Sequence, residues 1–136
     1  MSSLTYGFVF FITIATITGM TVAPEPKRPA LHAKVIELNA HGKNYLRVLG
    51  GPPESVTMKS GLVVLAPNES VGKHTTGSHE ELLVVLNGSG EMSFADGSIL
   101  PVTAEEALYC PPETEHDVKN TGKEMLQYVY VVADAK

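Results

Sequence analysis

Short runs of β-branched and aromatic residues, broken by turn residues every 8 to 12 positions or so, constrain the fold of this chain most. The breaks read "GGPP", "APNES", "NGSG", "ADGS", "CPPET" and "NTGK", in which Gly, Asn and Pro supply the backbone angles of tight turns. No amphipathic helical period of useful length occurs, and only Thr103–Ala107 has the composition of a helical turn. The pattern is typical of an all-β sandwich or barrel.

The runs predict eleven short strands. They are Ala33–Leu38, Tyr45–Leu49, Val56–Lys59, Leu62–Ala66, Lys73–Thr76, Glu81–Leu86, Glu91–Phe94, Ile99–Val102, Leu108–Cys110, His116–Lys119 and Met125–Val132.

Composition excludes several classes of protein. The ten Lys and Arg residues form no cluster larger than Lys27-Arg28, so the concentrated positive charge that nucleic-acid binding needs is missing. Cys110 is the only cysteine, which excludes an internal disulfide and a Cys-based zinc site. No base is placed beside Cys110 by the sequence, and it is predicted to be a small buried hydrophobe.

The N-terminus differs from the rest of the chain. Residues 1–23 include an uncharged apolar run that suits a signal peptide or membrane anchor, which predicts an exported protein, periplasmic or extracellular. The alternative is a cytoplasmic protein whose translation starts at Met20. Residues 24–32 are then a polar, Pro-stiffened linker, and residues 33–136 form the β domain, a length that fits one domain.

Two strands are apolar on both faces. Successive side chains of a strand alternate between faces, so Leu83 and Val85 point one way while Leu82, Val84 and Leu86 point the other. The closing strand "MLQYVYVV" has the same character. A sheet that is apolar on both faces must be covered on both, and the sequence therefore predicts a homodimer.

The stretch "HTTGSHEELLVVLNGSG", from His74 to Gly90, contains the candidate metal ligands. Glu81 shares a predicted face with Leu83 and Val85, and an inward carboxylate needs a cation or hydrogen-bond donors beside it. His74 lies shortly upstream, and His116 follows the Pro-fixed turn "CPPET". Imidazole and carboxylate together suit Mn, Fe, Co, Ni, Cu or Zn, and such a set leaves coordination positions open for water or substrate.

These residues also carry a family resemblance. The stretch from Asn68 to Gly88 resembles the first motif of the cupin superfamily, Gly-x5-His-x-His-x3-4-Glu-x6-Gly, through His74, Glu81 and Gly88. The stretch from Glu105 to Asn120 resembles the second, Gly-x5-Pro-x-Gly-x2-His-x3-Asn, through Pro111, His116 and Asn120. The resemblance covers about residues 56–132 and implies a double-stranded β-helix, a jelly-roll barrel whose metal site lies inside one mouth.

The chain departs from both motifs. Thr76 stands where the second motif histidine is expected, and His79, on the predicted face of Glu81, is a hypothetical replacement ligand. The predicted metal ligands are therefore His74, His79, Glu81 and His116. Asn68, Glu105 and Glu113 replace three motif glycines, and the two glutamates predict turns without left-handed backbone angles.

The function implied by the resemblance is broad. A small barrel holds a small ligand, with Tyr109 and Tyr128 as candidate pocket residues, whereas His32 and His41 are predicted to be surface. One hypothesis is a metal-dependent dioxygenase, decarboxylase or isomerase that acts on a small organic substrate. The alternative is a non-catalytic module that binds a metal or a small ligand such as a sugar or an organic acid.

Overall fold

The computed structural model of this protein describes residues 30–135. The predicted leader, residues 1–23, and residues 24–29 of the predicted linker lie outside the described part. No helix of the described residues is long and apolar enough to cross a membrane.

Eight strands form the fold, and they arise where β-branched and aromatic residues are flanked by Gly, Asn and Pro. They are β1 (Tyr45–Gly50), β2 (Lys59–Leu65), β3 (His79–Asn87), β4 (Ser89–Phe94), β5 (Ile99–Thr103), β6 (Ala107–Cys110), β7 (His116–Asn120) and β8 (Leu126–Asp134).

The strands pair in two antiparallel sheets. A five-stranded sheet has the order β1-β2-β8-β3-β6, and a three-stranded sheet has the order β5-β4-β7. The two sheets share one core, which includes Leu83 and Val85 from β3, Met92 from β4 and Val118 from β7. The prediction of an all-β, jelly-roll barrel is confirmed.

Alternation along β3 decides which side chains enter the core. Leu83 and Val85 are almost fully buried, at 1% and 2% exposure, and Glu81 points to the same side with 6%. Leu82, Val84 and Leu86 on the other side remain exposed. The strand thus brings a carboxylate into the barrel as part of its regular inward row.

Asn120, at the end of β7, is fully buried and joins three segments. Its Nδ2 donates to the carbonyl oxygens of Leu65 and Glu124, each at 2.8 Å, and its Oδ1 accepts from the Gly122 N–H at 2.9 Å. Every polar group of this side chain is satisfied, so the motif asparagine stabilises the turn that leads into β8.

Some predicted elements are not formed. Residues 33–38 form no strand, and the helical turn predicted over residues 103–107 is a non-helical turn between β5 and β6. Residues 73–76 contribute only a single bridge between His74 and His116. The strand predicted over residues 56–59 is wrong, because residues 56–58 form no strand and β2 begins only at Lys59. From there β2 is continuous to Leu65, since Gly61 continues the ladder and pairs with Tyr130 of β8.

Candidate metal centre

Three side chains from separate parts of the chain meet at the barrel, two of them buried in it and one exposed. His74 lies on the isolated bridge opposite His116, at the start of β7, and Glu81 lies near the start of β3. One potential ligand atom from each residue falls within 4.8 Å of the other two. The rings of His74 and His116 are 4.4 Å apart and inclined by 59°.

Backbone carbonyls fix the orientation of both imidazoles. The Nδ1 of His74 lies 2.8 Å from the Gly72 oxygen, and the Nδ1 of His116 lies 2.9 Å from the Thr114 oxygen. Because a carbonyl only accepts, each Nδ1 carries a proton, and in its neutral form each ring offers the Nε2 lone pair. Such a second hydrogen bond is the usual means by which proteins orient metal-binding histidines.

The two buried members of the group have unsatisfied atoms. The Nε2 of His116 and the Oε2 of Glu81 approach to 3.1 Å, with side chains 1% and 7% exposed. The contact is an ion pair when His116 is protonated. Apart from it, neither atom has a hydrogen-bond partner among the described residues. Buried polar atoms without partners are costly, and a cation between them would satisfy both. The donor set therefore fits a divalent transition metal.

The electrostatics of His116 reflect this arrangement. The Glu81 carboxylate beside the ring raises the pKa of His116 above its ordinary value of 6.5, burial opposes the rise, and the Thr114 carbonyl adds to it. Without a cation, the carboxylate therefore favours a proton on His116.

Cys110, on the strand next to Glu81, also contacts His116. It is fully buried, and its Sγ lies 3.3 Å from the Nδ1 of His116. Burial raises the pKa of the Cys110 thiol to about 11. The prediction that Cys110 is a small buried residue is confirmed. The sequence analysis missed its contact with His116, because the position of Cys110 beside the metal group depends on the long-range pairing of Glu81 with Cys110 between β3 and β6.

His79 is placed apart from the group formed by His74, Glu81 and His116. Its Nε2 lies 2.8 Å from the Oδ1 of Asp134, and its Nδ1 lies 3.0 Å from the Thr76 carbonyl. Both ring nitrogens therefore have partners at the end of β3. Thr76 donates its hydroxyl hydrogen to the His79 carbonyl at 2.8 Å and offers no charged ligand.

A cavity of about 340 Å³ opens beside the group. Its lining comprises Tyr45, Val63, Val71, His74, Thr76, Glu81, Tyr128, Tyr130 and Val132. Tyr128 is in the pocket as predicted. The prediction for Tyr109 is wrong, because this side chain is 54% exposed and on the other face of β6 from the buried Leu108 and Cys110, with its hydroxyl 3.2 Å from Glu80. Tyr45 and Tyr130 were missed, although the alternation of "YVYVV" already gives Tyr128 and Tyr130 one face.

The three residues that replace motif glycines have left-handed backbone angles. Asn68, Glu105 and Glu113 have φ values of 68°, 71° and 56°, so the prediction that the two glutamates mark other turn angles is wrong. Tertiary hydrogen bonds explain the difference: the Glu105 N–H donates to the Val85 carbonyl at 3.0 Å, and the Glu113 N–H donates to the Gly77 carbonyl at 2.7 Å. These bonds hold the backbone where a glycine would be preferred.

The sequence and the fold both have known counterparts. Residues 61–132, just over half of the chain, match the family model described as "Cupin domain". No curated protein matches the chain in sequence.

Three solved structures illustrate the fold similarity. A Cupin 2 conserved barrel domain protein from Salinispora arenicola CNS-205 is 26% identical, with a TM-score of 0.60, 79% of this chain and 92% of that one being covered. The Schizosaccharomyces pombe Cnp3 cupin domain is 16% identical, with a TM-score of 0.60, over 66% of this chain and 63% of that one. This chain thus spans less than two thirds of the S. pombe structure. A protein from Thermotoga maritima described as a predicted oxalate decarboxylase is 18% identical, with a TM-score of 0.53, over 72% of this chain and 98% of that one.

Proposed function

This chain belongs to the cupin family, and we propose that it binds a divalent transition metal through His74, Glu81 and His116 and uses it to bind or convert a small organic molecule. The observation that carries the proposal is the pair of unsatisfied buried atoms, the Nε2 of His116 and the Oε2 of Glu81, which converge with His74. Hydrogen bonding of both Nδ1 atoms to carbonyls supports it, because it leaves the Nε2 atom of each ring as the available donor.

The residues of such a site would have different roles. When bound, the metal would supply Lewis-acid chemistry toward a carbonyl or carboxylate group, or a binding position for O2 if it were iron. Glu81 contributes one negative charge, the two histidines contribute neutral donors, and the Tyr and Val side chains of the cavity exclude water from an organic ligand. Dioxygenase, decarboxylase and isomerase reactions all suit this division of roles.

Metal analysis of the purified protein tests the proposal directly. We expect a stoichiometric transition metal in the wild type, and elemental analysis identifies it. At about 100 times the dissociation constant, the metal should stabilise the fold by about 2.7 kcal/mol relative to chelated protein, measured by thermal unfolding.

Variants assign the ligands. Glu81→Gln and His116→Gln should lose this stabilisation, whereas His79→Ala, a matched change at a histidine already paired with Asp134, should keep it. The stability of each chelated variant separates loss of metal from loss of folding. Equal metal-dependent stabilisation in the wild type and in Glu81→Gln would refute the ligand assignment.

A non-catalytic binding module is the second candidate. It is favoured by Thr76 in place of a further histidine and by the cavity lining, which among the described residues offers no acid or base besides His74, Glu81 and tyrosines. Turnover of a panel of oxo-acids, phenols and sugars, with and without air, separates the two. Tight binding without turnover across the panel favours the module.

A further inference from the structure

The cavity beside the metal group has an aromatic wall. Tyr45, Tyr128 and Tyr130 line it together with three valines, whereas Glu81, His74 and Thr76 are its polar residues. Cross-strand pairing connects the two parts: Val132 pairs with Glu81, and Tyr130 pairs with the next inward residue, Leu83. A ligand that reaches the metal therefore has its body against aromatic and branched apolar side chains.

Two tyrosine hydroxyls provide polar groups within this aromatic wall. The Tyr45 and Tyr130 oxygens are 3.0 Å apart and hydrogen-bonded to each other. One hydroxyl donates to the other, which leaves one O–H free to donate and lone pairs free to accept. Burial, and secondarily the bond to Tyr45, raise the pKa of Tyr130, so the Tyr130 hydroxyl keeps its proton at neutral pH.

Gly61 makes the tyrosine pair possible. A Cβ at this position would lie 2.7 Å from Tyr45 Cε2 and 2.8 Å from Tyr130 Cε1. The two rings thus meet over the one residue of β2 that has no side chain.

The charge balance of the cavity limits the charge of its ligand. Glu81 neutralises one charge of a divalent metal, and the histidines are neutral, which leaves one net positive charge. Within the described residues, no Lys or Arg lines the cavity. A monoanion would complete the balance, whereas a dianion would leave one negative charge uncompensated in the cavity, which is unfavourable.

We propose that this cavity selects a small, planar, conjugated monoanion, bound to the metal by its anionic end and to the hydroxyls of Tyr45 and Tyr130 by a polar group at its other end. The inference rests on the proposed function, since it takes the metal as the anchor of the anionic end. It adds the charge, the shape and the second polar group of the ligand.

Binding of benzoate, 4-hydroxybenzoate and oxalate to the metal-loaded protein tests the proposal by calorimetry. We expect 4-hydroxybenzoate to bind several-fold to about tenfold more tightly than benzoate, which is the range of one neutral hydrogen bond. Oxalate, a small dianion without an aromatic body, should bind more weakly than either. Tighter binding of oxalate than of both benzoates would overturn the proposal.

Two variants locate the effect. The double change Tyr45→Phe with Tyr130→Phe keeps both rings and should abolish the preference for 4-hydroxybenzoate. Tyr109→Phe removes a hydroxyl from the outside of the barrel and should preserve the preference. If the double variant still prefers 4-hydroxybenzoate, the hydroxyls of Tyr45 and Tyr130 do not bind the polar group of the ligand.

Metal-dependent stabilisation separates this failure from failure of the proposed function. If the wild type and the double variant are both stabilised by metal but neither benzoate binds, the proposed metal site stands and the ligand assignment is wrong. If metal does not stabilise the wild type, the proposed function itself fails.

Discussion

The Nε2 atom of His116 lies 3.1 Å from the Oε2 atom of Glu81 inside the barrel, and neither atom has a hydrogen bond among the described residues. A proton and a metal ion therefore compete for the same small space. Because the carboxylate raises the pKa of His116, this competition begins at a higher pH than for an ordinary histidine.

The competition predicts opposite pH dependence with and without metal. In chelated protein the raised pKa of His116 contributes stability that is fully present below about pH 6.5, the ordinary histidine value, and is lost as pH rises through the raised pKa. Metal affinity instead increases over that window, by up to about tenfold per pH unit for each displaced proton.

Thermal unfolding of chelated and metal-saturated samples between about pH 6 and pH 9 measures both trends. His79→Ala serves as a control for histidine titration outside the group. Parallel pH profiles in the two samples would contradict the assignment of His116 as a shared proton and metal site.

Gly88 is predicted to tolerate a methyl group much less than Gly97. Both have left-handed angles, with φ values of 81° and 85°, so alanine strains the backbone at either position by about 1–2 kcal/mol. At Gly88 the added Cβ would also lie 2.5 Å from the Met125 oxygen, whereas at Gly97 nothing lies within 4 Å. We expect Gly88→Ala to lower the free energy of unfolding by at least about 3 kcal/mol and Gly97→Ala by half of that or less, by urea titration.

Replacing Glu105 or Glu113 with glycine should stabilise the protein. Each glutamate is exposed and has a positive φ, so glycine relieves about 1–2 kcal/mol of strain and costs about 0.4–1 kcal/mol through the unfolded chain. A net gain of about 0.5–1 kcal/mol per site is expected from urea unfolding. Glu115→Gly, at an exposed position without a positive φ, is the control and should destabilise; a loss of stability at all three positions would contradict the strain argument.

The outer face of the five-stranded sheet exposes apolar side chains, and the homodimer predicted from the sequence remains a prediction that this surface supports. Leu82 pairs with Val131 and with Tyr109, and Val84 pairs with Val129, so their apolar side chains form rows across three strands. Nearby in sequence to β1, residues 30–40 form no helix, strand or turn and expose Leu31, Val35 and Leu38. A second copy would cover this apolar surface and supply backbone partners.

Light scattering during size-exclusion chromatography measures the predicted dimer. The wild type should have twice the monomer mass, and Leu82→Lys with Val84→Lys should shift it toward the monomer. Ile99→Lys changes a comparably exposed residue on the other sheet and should leave the mass unchanged. A monomeric wild type at high concentration would disprove the dimer.

Local patterns predicted most of the fold, and long-range pairing decided the rest. Alternation in "ELLVV" was enough to turn Glu81 inward with Leu83 and Val85, and the two motifs were enough to bring His74 and His116 to it. The partner of His79 was not predictable, because Asp134 reaches it through the pairing of β3 with β8. The angles at Glu105 and Glu113 likewise depend on carbonyls of distant residues, which override the preference of glutamate.

The members of the metal group are unequally accessible: His74 is exposed, whereas Glu81 and His116 are buried. An ion that arrived from solvent would therefore meet His74 first, and a departing ion would leave it last. The exchange rate should accordingly depend on the loop around Gly72, whose carbonyl orients that imidazole. The rate of metal uptake would thus depend mainly on His74, whereas long-term retention of the metal would depend on the buried Glu81 and His116.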